Sequence, residues 1–82
     1  MIHIVYTRHA EDVMRERGLK FEWVKRTLAS PDQDEPDPDE PTLRRAFKAI
    51  PERDGRVLRV VYGRTDDTLR VVTAFFDRDR RR

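Results

Sequence analysis

Arg59 and Arg70 stand inside two β-rich runs, Arg56 to Tyr62 and Leu69 to Phe76, which are joined through Gly63, Asp66 and Asp67. Dense β-branched and aromatic residues around a Gly/Asp connection predict an antiparallel hairpin. Strand side chains alternate between faces. Leu58, Val60 and Tyr62, matched with Leu69, Val71, Thr73 and Phe75, therefore make a core face. Val57, Arg59 and Val61 share the other face with Arg70, Val72, Ala74 and Phe76. That second face is half apolar and carries cations, which suits an anionic partner or a protein better than bulk water. The plainer alternative is two arginines snorkelling from an ordinary sheet surface.

The two histidines, His3 and His9, are too few ligands for a zinc site in a chain without cysteine. No metal or cofactor is expected. His9 falls in the first turn of the first helix, where an imidazole suits general acid or base chemistry at neutral pH. Bonding to nearby backbone is its structural alternative.

These residues need a scaffold. Ile2, Ile4 and Tyr6 alternate with His3 and Val5 as a short strand. Thr7 is a good N-cap for a helix from Arg8 to Arg17, with Ala10, Val13, Met14 and Arg17 on one stripe and Gly18 ending it. A second helix, Phe21 to Ala29, buries Phe21, Val24 and Leu28 and stops at Ser30-Pro31. The short linker predicts an antiparallel helix pair. Helices this short must lean on a sheet for stability.

Ser30 to Thr42 holds six of the sixteen acids and no Lys or Arg, and is interrupted by Pro31, Pro36, Pro38 and Pro41. It reads as an irregular acidic loop. Its carboxylates lack the glycine and terminal glutamate of an EF-hand. The loop is solvated and flexible, or it folds over the basic face and competes with nucleic acid there. Leu43 to Ile50 reads as a strand, with helix as the alternative. As a strand it places Arg44 and Lys48 beside Arg59 and Arg70, four cations on the face away from the helices. Pro51 ends it, and Asp54-Gly55 supplies a turn before Arg56. The tail from Asp77 to Arg82 is expected to fray. Its arginines, Arg78 among them, add phosphate attraction without specificity.

The 82 residues allow one small core. With 37% hydrophobic and 41% charged residues, that core must be thin. Outside the acidic loop, 18 basic residues stand against 10 acidic ones, which points to phosphates or an acidic protein as partner. No apolar run is long enough to span a bilayer, and residues 1–6 do not read as a secretory signal. A cytoplasmic protein without membrane partners is expected. The fold class is α+β: a short N-terminal strand and two antiparallel helices packed on one face of an antiparallel sheet of three to four strands. It forms one domain over residues 1–82, with the acidic loop at 30–42 and the basic tail at 77–82.

The stretch from Tyr6 to Ala10, followed by Met14 to Leu19, resembles a family of small bacterial proteins classed as a domain of unknown function. Its pattern is T-x-H-A-x-x-x-M-x-x-R-G-[IL], closing on strands matched here by Val60 to Tyr62 and Val71 to Ala74. Glu16 to Glu22 is similar to a segment of BrnT-type toxins, and both groups are placed with the RelE-like toxin fold. The resemblance implies a toxin-like, metal-independent ribonuclease of a type II toxin–antitoxin pair. RNA and a small antitoxin are its implied partners, and self-association is compatible with it. His9, Arg17, Tyr62 and Thr73 match the pattern, whereas Val13 stands where an arginine often precedes the methionine. In that mechanism Arg59 and Arg70 hold charge on the phosphate and His9 or Tyr62 moves protons. Arg17 and Thr73, with Arg44, Lys48 and Arg78 from the strand and tail readings above, are expected to bind the RNA. A non-catalytic RNA- or protein-binding module is the alternative.

Overall fold

The computed structural model describes residues 2–80. Chain order is β1 (His3–Tyr6), α1 (Arg8–Arg17), α2 (Phe21–Ala29), β2 (Gln33–Pro36), β3 (Leu43–Ile50), a 3-10 turn at Pro51–Arg53, β4 (Arg56–Thr65) and β5 (Thr68–Asp77). The helix boundaries follow their local chemistry. Thr7 accepts the Ala10 N–H at 3.0 Å. Gly18 closes α1 in the left-handed region, at φ 65°, with its N–H turned back to α1 carbonyls.

The fold is α+β, with both helices on one face of the sheet. The sheet has five strands rather than three or four, in the order β1-β5-β4-β3-β2. It is also mixed, because β1 runs parallel to β5. A parallel neighbour needs a crossover connection, and here everything between β1 and β5 supplies it.

The further strand comes from the acidic segment. Residues 33–36 pair antiparallel with Arg44 to Phe47, so the expected loop contains an edge strand. Its periodicity is silent in the sequence because no apolar face is buried. The strand is held by ladder hydrogen bonds and by ion pairs instead.

α1 packs mainly on β5, and α2 on β4 and β3. Ala10, Met14, Leu19, Trp23 and Val24 meet Ile50, Leu58, Val60, Val71 and Ala74 in the main core. Phe21, expected inside, is 48% exposed and meets Tyr6 edge-on at 4.8 Å. Trp23 takes the buried place instead.

The β4–β5 hairpin turns over two residues, with Thr65 opposite Thr68 and Asp66 at φ 50°. Its register breaks once. Val61 opposes Thr73 and Tyr62 opposes Val71, leaving Val72 as an extra residue. Such a bulge shifts the alternation by one. Leu69 and Val71 therefore face the core as expected, but Ala74 and Phe76 replace Thr73 and Phe75 there.

Candidate functional site

The four cations expected on one open face are divided between two. Arg44 lies opposite Tyr62 and Lys48 opposite Leu58, on the helix side, because β3 pairs with β4 even residue to even residue. Both are engaged by the acidic strand and its approach. The Arg44 Nε lies 2.9 Å from Asp34, while the Lys48 Nζ donates to the Ser30 carbonyl at 2.7 Å and lies 3.6 Å from Asp32.

On the reverse face the protein covers itself. Phe47 is 1% exposed although neither helix lies over it. The Arg80 guanidinium sits 3.7 Å from its ring centre, with those of Arg45 and Arg59 at 5.6 and 5.4 Å. Glu35 accepts from Arg45 at 2.8 Å and from Arg80 at 2.7 Å. Arg59 bonds to Asp77 and packs 4.9 Å from the Phe75 ring centre. Residues 77–80, expected to fray, thus form part of a lid; Arg81 and Arg82 lie outside the described residues. The reverse face is not the open cationic platform the alternation implied. Arg70 is exposed beside β1, opposite Gly63. That position is four residues along β4 from Arg59, about 13 Å at a strand's rise.

The expected proton carriers are also apart. His9 is exposed on α1. Tyr62 sits on the helix side, and its hydroxyl donates to Asp34 at 2.7 Å. Burial, and then the bond to Asp34, push its phenol above the ordinary range, away from proton transfer near neutral pH. Thr73 faces the reverse side, half buried opposite Val61. Among the described residues, no group of three or more His, Cys, Asp or Glu could hold a metal ion.

Arg17 and Arg78, by contrast, do meet. With Arg53 and Arg56 they line a cleft of about 480 Å³ whose remaining walls are Leu19, Phe75 and Phe76. The site is built at the end of the sheet. α1 ends at Arg17 and delivers its guanidinium 5.7 Å from the Phe75 ring centre. The Asp54-Gly55 turn brings Arg53 and Arg56 to within 5.0 and 4.6 Å of the Phe76 ring centre. Arg53 also lies 5.8 Å from the Trp23 ring centre. β1 pairs with β5 only as far as Val71, which leaves the cleft at an edge β1 does not cover.

None of these four arginines has a carboxylate partner among the described residues. The larger groove, about 930 Å³, is lined by cations already paired: Arg26 with Glu52, Lys48 with Asp32 and Arg80 with Glu35. In the smaller cleft, by contrast, an anion meets four arginines without such partners among the described residues. Stacked guanidinium groups are also partly pre-oriented for bidentate contact with phosphate oxygens.

Arg53 and Arg56 escaped the sequence reading. Their signal was the hairpin itself. Antiparallel pairing sets the start of β4 beside the end of β5, so Arg56 had to approach Phe76 and the residues after it.

A two-layer α+β domain with an arginine cleft at one sheet end is the class this geometry defines. Over residues 6–76 the chain matches the family described as Domain of unknown function (DUF4258), and it belongs to that family. No curated protein and no solved structure significantly matches it.

Proposed function

We propose that this protein binds RNA, with the four-arginine cleft receiving phosphate. The observation that carries the reading is the convergence of Arg17, Arg53, Arg56 and Arg78 on one cleft that no carboxylate of the described residues lines. Aromatic rings beside guanidinium groups add a stacking surface of the kind single strands use. The resemblance to BrnT- and RelE-like toxins supports RNA as the polyanion. It extends the proposal to a toxin-like protein of the cytoplasm, held in check by a small antitoxin.

Cleavage would require a base and an acid beside the cations. The cleft's lining offers arginines, which stay protonated, with one leucine and two phenylalanines. His9 lies eight residues from Arg17 on α1, about 12 Å along the helix axis. Binding without turnover is thus the function the geometry supports best.

The test is fluorescence anisotropy with labelled single-stranded RNA at low salt, followed by electrophoresis of the same RNA. Intact RNA bound by the native chain, and bound several-fold more weakly by folded Arg17→Gln and Arg56→Gln variants, supports the proposal. Unchanged affinity in both variants refutes it, and metal-independent cleavage restores the ribonuclease reading.

A further inference from the structure

We infer that the arginine cleft recognises the end of an RNA chain, taking a terminal phosphomonoester in preference to an internal phosphodiester. This rests on the RNA-binding reading above and adds the chemical class the site selects.

The arrangement of the cations is the first reason. A groove that follows a strand distributes its cations along successive phosphates. Here the guanidinium groups come from three separated places, namely the last turn of α1, the 3-10 turn together with the first residue of β4, and the residue after β5. They surround one cleft instead of marking a track. Its volume, about 480 Å³, lies toward the small end of ligand pockets. That suits one nucleotide-sized group better than a strand passing through.

Charge is the second reason. Among the described residues, four arginines and no carboxylate line the cleft. An internal diester brings one negative charge, whereas a phosphomonoester carries about −1.5 to −2 near neutral pH and presents three strong acceptor oxygens. The extra charge and acceptor oxygen are worth most where several guanidinium forks already converge, since each charge-assisted bond replaces hydration of a cation that no carboxylate of the described residues pairs.

Pre-organisation is the third. Arg53 and Arg56 rest on Phe76 and Arg17 on Phe75, so less side-chain freedom is lost on binding than for unsupported surface arginines. The cleft also opens beside the part of β5 that β1 leaves uncovered, where a chain end can enter.

The experiment uses the full chain and three versions of one short single-stranded RNA, labelled internally. One carries a 5′-monophosphate, one a 3′-monophosphate and one hydroxyls at both ends. Binding of at least one phosphorylated form about ten-fold tighter than the hydroxyl form, the scale of one added charge-assisted hydrogen bond, supports the inference and identifies the end. The preference should disappear in folded Arg56→Gln or Arg17→Gln protein. Equal binding of all three RNAs overturns end recognition while leaving RNA binding intact. Binding of none overturns both.

Discussion

Arg80 lies with its guanidinium 3.7 Å from the centre of the Phe47 ring, closing the sheet face that no helix covers. The contact joins the residues after β5 to β3, and through Glu35 it reaches the edge strand β2. Arg80→Ala should cost about 1–2 kcal/mol, the scale of a cation–π contact plus a partly exposed charged hydrogen bond. Urea denaturation should show the loss as a lower midpoint with an unchanged slope. RNA affinity should change little, because Arg80 is already paired and lies outside the cleft.

Tyr62 ties β2 to the core by donating to Asp34. Tyr62→Phe keeps the ring in place and removes this bond. We expect a loss of about 1 kcal/mol, concentrated at the edge strand that this bond ties to the core. Hydrogen exchange should accelerate at the β2–β3 ladder and remain unchanged in the β4–β5 hairpin. Equal acceleration in both would contradict this account of how the acidic strand is fixed.

How much of this could be read in the sequence follows from what each element buries. α1 was legible because its cap, its apolar stripe and Gly18 agree. β4 and β5 were legible because β-branched residues fill them. The acidic strand was not, since Gln33 to Pro36 bury almost nothing and pair through backbone and charge. The faces of β5 were assigned correctly only up to Val71, because one extra residue at Val72 inverts the alternation and leaves no mark in composition. Arg44 and Lys48 were misassigned for a related reason, namely that the β3–β4 register depends on the turn between those strands. Arg17 and Arg78 were singled out, yet their meeting depends on the open end of the β5 edge.

Tyr6 offers a different check. Its hydroxyl is buried without a hydrogen-bond partner among the described residues, and burial raises its pKa. A phenol in that position loses hydration and gains nothing in return. Tyr6→Phe should therefore stabilise the protein by about 1 kcal/mol, or several degrees in Tm for a domain of this size. Calorimetry that finds a lower Tm would show that the hydroxyl has a stabilising role.

Acid should weaken the fold in a defined window. The Arg26 guanidinium pulls the Glu52 carboxyl down to about 2. Burial opposes ionisation of Asp77, but the Asp79 N–H and the Arg59 guanidinium outweigh it and hold that carboxyl below its ordinary value. Folded pKa values below the unfolded ones give stability that is present above the unfolded pKa and lost as pH falls through the folded one. Tm should decline between about pH 4.5 and pH 2 on their account. Asp77→Asn should start lower and flatten the decline. Glu52 is exposed, so Glu52→Gln should have a smaller effect.

The salt dependence of RNA binding tests the arginine cleft most directly. Each phosphate contact on a single strand contributes about 0.7 to the slope of log K against log salt. The Arg17→Gln/Arg56→Gln double variant should lower the magnitude of that slope by about 0.7, the share of the one phosphate the cleft holds. Arg44→Gln should leave it unchanged, because Asp34 already holds Arg44. An unaltered slope in the double variant, or an equal reduction in Arg44→Gln, would contradict the cleft as the phosphate site.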